Sequence, residues 1–344
     1  MFSLLIFVHE LGHFVTAKLS GVQVNEFALF MGPTLWSKQV GETLYSIHLI
    51  PFGGYCAMEG EDEDTDNPRS FQRAAWWKRL IILVAGSAMN FITAVVIFAV
   101  LYLPSQYVTD PVITQFMDCC TFSNSQGLQL GDEIVQIDGY SVNMNADISL
   151  LLTVNPALEH DITVLRDGRE VVFENLSMGH THVNEDGQEY IHYGFGFGQA
   201  REATFGDKVE LVWDVTQYNI RTVWLSLDML LSGKAGLADL SGPVGIVSVM
   251  SDTVDSSESG MDAFLNLLYF SGMISVNLAI MNMLPIPALD GGRVVGLLLT
   301  TLVEKITRKK VNPKYEGYLH GAGMILLLGL MAVIMLKDII FIFR

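Results

Sequence analysis

The chain opens with MFSLLIFVHELGHFVTAKLS, residues 1–20, an apolar stretch that nevertheless carries His9, Glu10, His13 and Lys18. Such side chains are costly in hydrocarbon unless they have a partner or a task. The stretch reads as a membrane-spanning helix over residues 1–20 and not as a signal peptide, because no basic region precedes it and no small-residue cleavage pattern follows. On a helix, residues four apart share a face. His9 and His13 can therefore grip one metal ion while Glu10 stands beside the water at that metal, and the H-E-x-x-H spacing accounts for the residue types found.

Three more stretches lack any Asp, Glu, Lys or Arg: Leu80–Leu103, Phe264–Pro287 and Tyr318–Leu336. Each is long enough to cross a bilayer, and with residues 1–20 they predict four transmembrane helices, over 1–20, 79–103, 263–287 and 318–343. Between Ser105 and Asp262 there are 24 acidic and 6 basic residues, so this segment holds the whole imbalance behind the net charge of −17. Nucleic acid is excluded as a partner for so acidic a chain. Most of the basic residues lie elsewhere. Lys38, Arg69, Arg73, Lys78 and Arg79 separate the first two spans, and Arg293, Lys305, Arg308, Lys309, Lys310 and Lys314 separate the last two. By the positive-inside rule both loops face the cytoplasm and the acidic segment lies outside. Cys56, Cys119 and Cys120 are too few for a disulfide framework.

Residues 21–78 read as a loop region with strand character. Thr43–Leu49 alternates as a strand, Pro51, Phe52, Gly53, Gly54 and Tyr55 make a turn, and a short strand follows to Met58, which together predict a β-hairpin. Glu59–Asp66 is a solvated acidic loop. Residues 105–200 form a small β-rich domain in which Gly127-Leu128-Gln129-Leu130-Gly131-Asp132 leads into a strand. This resembles the Gly-Leu-x-x-Gly-Asp stretch of PDZ domains, and the likeness implies binding of extended peptide at a sheet edge; a β-rich spacer without a ligand is the alternative. His180, His182 and His192 are read as loop histidines, since no carboxylate or thiolate spacing completes a metal site with them. Residues 205–262 are an amphipathic helix, from Phe205 to Ser232, and a linker.

Catalytic zinc takes three protein ligands and keeps one position open. No third ligand follows His13 closely. The best distant candidate is Asp290, within Asn282-Met283-Leu284-Pro285-Ile286-Pro287-Ala288-Leu289-Asp290-Gly291-Gly292-Arg293, where Pro285 and Pro287 must break the third helix near its inner end. A lone buried Asp calls for a cation. An Asp that merely caps a helix starting near Gly291 is the plain alternative, and Glu304 is the rival ligand. His320 is read as a packed helix residue. Residues 288–317 are assigned to a cytoplasmic loop carrying Asp290.

Together the H-E-x-G-H and N-x-x-P-x-P-x-x-D-G-G motifs resemble the site-2 protease family of intramembrane zinc metalloproteases, in its bacterial branch with one PDZ domain. Phe27–Pro33 and Pro51–Glu61 are similar to the family's re-entrant hairpin. Ala85, Gly86, Asn90 and Phe91 are similar to its second span, and Ser241–Gly245 to a stretch before the third. The resemblance implies a multi-pass α-helical membrane protein with a membrane-associated β-hairpin and an inserted extracytoplasmic PDZ domain, placed in the cell membrane with its zinc site towards the cytoplasmic side. It implies one zinc ion on His9, His13 and Asp290, Glu10 as the catalytic base, and Asn282, Pro285, Pro287, Gly53 and Gly54 as substrate-binding residues. The substrates it implies are single-span membrane proteins, such as anti-sigma factors or remnant signal peptides. A non-catalytic receptor binding peptides through its PDZ domain is the rival from another class. Only eight residues, about 12 Å of helix, precede His9, fewer than the family usually has, so a start further upstream is expected.

Overall fold

A computed structural model describes residues 1–61, 65–117, 127–183, 189–236, 242–308 and 313–342. Cys119, Cys120, Ser241, Lys309, Lys310 and residues 62–64 of the acidic loop lie outside them. The chain forms two compact units, Met1–Phe98 with Ala235–Arg344, and Ala99–Lys234.

In the first unit, helix α1 (Phe2–Ser20) is followed by strands β1 (Val24–Val40) and β2 (Thr43–Met58), a 3-10 turn at Phe71–Arg73, and helix α2 (Trp76–Tyr102). Leu5, His9, Gly12, His13 and Ala17 form the buried stripe of α1, at helical spacing. On α2 the buried stripe is Ile82, Gly86, Asn90, Ala94 and Phe98, one residue every turn. Small side chains let the two helices approach closely. A Cβ on Gly12 would lie 2.5 Å from the Ala85 carbonyl oxygen, so the glycine inside the histidine motif is a packing requirement.

The β1 and β2 strands pair antiparallel over most of their length, and Glu26 to Leu29 pair twice, antiparallel with Ala57, Cys56, Tyr55 and Gly54 and, with both runs ascending together, with Leu44, Tyr45, Ser46 and Ile47. A run with partners on both edges lies inside a sheet, and residues 54–58 then form an outer edge. The chain reverses near Phe30 and Gly32 and again near Gly53, all three at positive φ. The second reversal falls within the turn expected at 51–55, but the strands it joins, 43–49 and 54–58, lie on either side of residues 26–29 and do not pair with each other, so the hairpin expected there is corrected; the hairpin that forms pairs 34–40 with 43–48. Met31, Leu35, Trp36, Leu49 and Ile50 are exposed. At the far end of the sheet Glu42 takes hydrogen bonds from Arg69 (2.6 Å) and Lys18 (2.7 Å), which push its carboxyl down to about 2 and tie the sheet to the end of α1.

The second unit holds strands β3 (Tyr107–Phe116), β4 (Glu133–Ile137) and β5 (Tyr140–Ser141), helix α3 (Asn145–Val154), strands β6 (Glu159–Arg166), β7 (Arg169–Ser177), β8 (His180–Val183), β9 (Glu189–His192) and β10 (Phe195–Glu202), and helix α4 (Phe205–Leu231). Its main sheet runs β10-β3-β4-β6-β7, with β5 on β4. Ile113, Leu128, Ile134, Ile137, Ile148, Ile162, Val164 and Met178 are fully buried in its core. Asp132, 1% exposed, closes the Gly-Leu-x-x-Gly-Asp turn by accepting from Gln129 N–H at 2.7 Å and from Arg166 Nη2 at 2.6 Å. His180 and His192 face each other across the β8–β9 ribbon, so these histidines are strand residues and not loop ones. The amphipathic α4 starts on a capping box, with Thr204 N–H donating to Asp207 at 2.7 Å.

The chain then returns to the first unit with helices α5 (Pro243–Asp255), α6 (Gly260–Asn282), α7 (Asp290–Thr307) and α8 (Pro313–Ile342). Three expectations are corrected here. The linker within 205–262 contains α5, opened by a proline at its first turn, where no N–H is needed. The third span stops at Asn282 and not at 287, because Pro285 and Pro287 cannot donate to the helical ladder. The loop 288–317 is mostly helix, α7. Among the described residues four helical stretches are long and apolar enough to cross a membrane: Phe2–Ser20, Trp76–Tyr102, Gly260–Asn282 and Gly317–Asp338. Leu319, Ile325, Leu326 and Val333 on α8 are exposed in the isolated chain, an apolar surface for lipid to cover.

Candidate metal centre

His9 and His13 project from the buried face of α1, 8% and 7% exposed, and Asp290 stands in the first turn of α7. Helix α6 ends eight residues before Asp290, and the intervening loop turns tightly: Ala288 has a φ of 83°. Its N–H donates to His320 Nδ1 on α8 at 3.0 Å, so the histidine read as a packing residue also holds the loop that delivers Asp290. Gly291 and Gly292 lie against the backbone of Met283, Leu284 and Ile286 with no room for a Cβ. The two glycines after the aspartate are thus what let α7 start directly beneath the break in α6.

This loop brings Asp290 Oδ2 to 3.1 Å from His9 Nε2 and 3.2 Å from His13 Nε2, and the two nitrogens are 3.2 Å apart. Among the described residues this is the one group of three able to hold a metal ion. The donor set fits zinc on several counts. Tetrahedral bonds of about 2.0–2.1 Å place neighbouring ligand atoms roughly 3.3 Å apart, close to all three edges found here. His13 Nδ1 donates to the Ile82 carbonyl at 2.8 Å, so a neutral His13 presents a bare Nε2 lone pair to the triangle. Asp290 Oδ2 is buried and receives no hydrogen bond. Lone pairs from three side chains face a single point, an arrangement that repels itself until a cation is shared. Gly86 presses on the same two rings: a Cβ there would lie 2.7 Å from His9 Cε1 and strike the His13 ring.

Glu10 lies beside the triangle, with the backbone of Cys56 and Gly54 next to it. A cavity of about 670 Å³ joins His9, Glu10, His13 and Asp290 to the 54–61 segment and Arg293, which is paired with Glu61. A smaller one, about 280 Å³, is lined by Ile6, Glu10, Asn90, Leu278 and Asn282. Asn282 thus reaches the site, with its amide 3.4 Å from His9 Nδ1. Gly54 flanks Glu10, Gly53 sits in the reversal behind it, and Pro285 and Pro287 form the break without lining either cavity.

The model of peptidase family M50 matches residues 1–330. The chain belongs to that family. Peptidase family M50 comprises the site-2 proteases, and the chain is accordingly a membrane protein and an intramembrane zinc metalloprotease. It is 35% identical to a Clostridium acetobutylicum protein, named provisionally as a zinc metalloprotease, over 99% of this chain and 95% of the relative. A similarly named Clostridium perfringens protein is 32% identical over 99% and 96%. The regulator of sigma-W protease RasP of Bacillus subtilis is 28% identical over 98% and 96%.

Sequence reasoning brought together His9, Glu10, His13, Asp290 and Asn282. It assigned no role to Ile82, Gly86 and Asn90 at the back of the site, although their four-residue spacing on α2 was the available signal.

Proposed function

We propose that this protease hydrolyses peptide bonds within the transmembrane segments of single-span membrane proteins, with zinc held by His9, His13 and Asp290. The observation that carries the reading is the ligand triangle, formed by two histidines on a helix long enough to span a bilayer and an aspartate at the start of α7, with a sheet edge beside it. Held by these three residues, zinc would supply Lewis-acid polarisation of a scissile carbonyl and would acidify water at neutral pH. Glu10 accepts the proton of the attacking water and delivers it to the leaving amine. A helical substrate has its carbonyls tied up internally and must unwind locally to be cut. Residues 54–58, an outer edge beside Glu10, offer main-chain groups to the unwound segment, so the substrate adds as a strand. Gly54 keeps that approach clear of side chains, Gly53 shapes the reversal before it, and Asn282 hydrogen-bonds the freed backbone. The exposed apolar residues of β1 and β2 support the reading of this sheet as a re-entrant element in the membrane.

The test uses purified chain in liposomes with a single-span protein. The fragments are expected to end inside the span, and cleavage to stop on chelation and return with zinc. Cuts confined to soluble segments, or cleavage indifferent to chelation, would count against the reading.

The RasP relative is named for regulating sigma-W, and anti-sigma factors or remnant signal peptides are the substrate class we assign here. The distribution of basic residues puts the zinc site towards the cytoplasm and the acidic unit outside. That unit is a PDZ domain acting as a size filter: between α3 and β10 lies a groove of about 590 Å³, lined by Ser149, Leu152, Ile191 and Phe195, and β10 is an edge strand. Ala203 N–H donates to the Gln106 carbonyl at 2.9 Å, so excision of Tyr107–Glu202 leaves ends already side by side. The excised enzyme is expected to cut full-length substrates that the intact one spares. Unchanged selectivity would remove the filter.

A further inference from the structure

Helix α2 supplies the oxygen that fixes one imidazole of the site, Ile82 O on His13 Nδ1, and two turns further along it carries Asn90, which has no exposed surface. The atom of the Asn90 amide that lies 3.3 Å from His9 Nδ1 is its nitrogen, Nδ2. Its Oδ1 is buried and has no partner. Asn90 is also held in place, since its backbone carbonyl accepts from Ser275 Oγ on α6 at 2.7 Å.

We propose that Asn90 is a positioning residue whose side-chain oxygen accepts the Nδ1 proton of His9 and so fixes the tautomer that leaves Nε2 free for the metal. This rests on the reading that His9 binds zinc through Nε2, the atom that faces His13 and Asp290. A neutral imidazole carries one proton, and an Nε2 that ligates must leave it on Nδ1. That Nδ1–H is buried and needs an acceptor. Two amides reach it, those of Asn90 and Asn282, and only Asn90 has a buried oxygen left without a donor. A half-turn of the amide about χ2 keeps its shape, brings Oδ1 onto Nδ1–H and satisfies both groups at once. The pair then matches His13 with Ile82, and each imidazole is oriented by an oxygen from α2. Asn282 stays available to a substrate backbone.

The experiment measures zinc affinity in detergent by chelator competition for wild type, Asn90→Leu, Asn90→Asp and His9→Ala. Leu keeps the volume and removes the acceptor; Asp keeps the acceptor and buries a charge. We expect Asn90→Leu to bind zinc about 10–100-fold more weakly, the usual cost of losing such a partner, and Asn90→Asp to bind as tightly as wild type or more so. A role in packing alone gives the reverse order, and wild-type affinity in Asn90→Leu, or loss in Asn90→Asp, overturns the proposal. If Asn90→Leu does not accumulate as folded protein, Asn90→Asp decides: retained zinc supports and lost zinc refutes. His9→Ala separates the two levels. Undiminished zinc binding there would overturn the ligand assignment itself, whereas loss there with full binding in Asn90→Leu would overturn only the role of Asn90.

Discussion

Glu10→Gln is expected to carry as much zinc as the wild type and to cleave a single-span substrate about 10²–10⁴-fold more slowly, the range over which a positioned general base contributes. The substitution removes one capability and little else. Gln has the size and shape of Glu, so the buried face of α1 and the two flanking ligands keep their packing. The Glu10 carboxylate lies beside the ligand triangle, which is formed by His9, His13 and Asp290 alone. An amide cannot take the proton of an attacking water at neutral pH, nor return one to the leaving amine. The rate and the metal content should therefore part company, and elemental analysis of the same preparation used for the cleavage assay measures both. Wild-type cleavage by the variant would show that the base lies elsewhere. Parallel loss of zinc and activity would show Glu10 to be part of the metal site.

How far the sequence reaches can be judged at particular positions. His9 and His13 are legible because their relation is local: four residues along a helix fix the face whatever the rest of the chain does. Pro285 and Pro287 make it legible that the third span must break, but not where, since the helix already stops at Asn282. Asp290 is partly legible, since an acidic residue beside a helix break needs a reason, but its distance to His9 depends on α6, its terminal loop and His320 acting together. The sheet marks the limit. Alternation in Thr43–Leu49 reveals a strand, yet nothing local says that Glu26 to Leu29 pair on both sides, because register is a long-range property. Asn90 marks another limit: a buried asparagine in an apolar helix invites a partner, and only the packing of α1 on α2 shows that the partner is His9. The helix α5 was missed for a different reason, since a stretch rich in glycine and serine on either side of it reads as linker by composition.

The assignment of the third ligand yields the other large effect. Asp290→Ala is expected to lower zinc affinity by more than the roughly 10–100-fold that loss of a ligand's hydrogen-bonding partner costs, because it removes a charged ligand and leaves two imidazoles for an ion that takes three protein donors in catalytic sites. Cleavage should fall with the metal and recover only in part with excess zinc. Glu304→Ala, the control for the rival ligand, is expected to bind zinc as wild type does. Both acids lie on α7, but Glu304 is fourteen residues on, about 21 Å of helix from Asp290. No rotamer spans that distance, so the two cannot exchange roles without dismantling the helix. The choice between them is therefore a choice about where α7 begins. If Asp290 merely caps α7, its loss costs about 1 kcal/mol of helix stability and leaves zinc in place. If it is the ligand, zinc departs while the N-terminus of α7 keeps the backbone contacts of Gly291 and Gly292 with the 283–286 loop. Chelator competition on the two variants, with thermal unfolding of each recorded alongside, distinguishes these results, and full zinc retention in Asp290→Ala would remove the carboxylate from the metal centre.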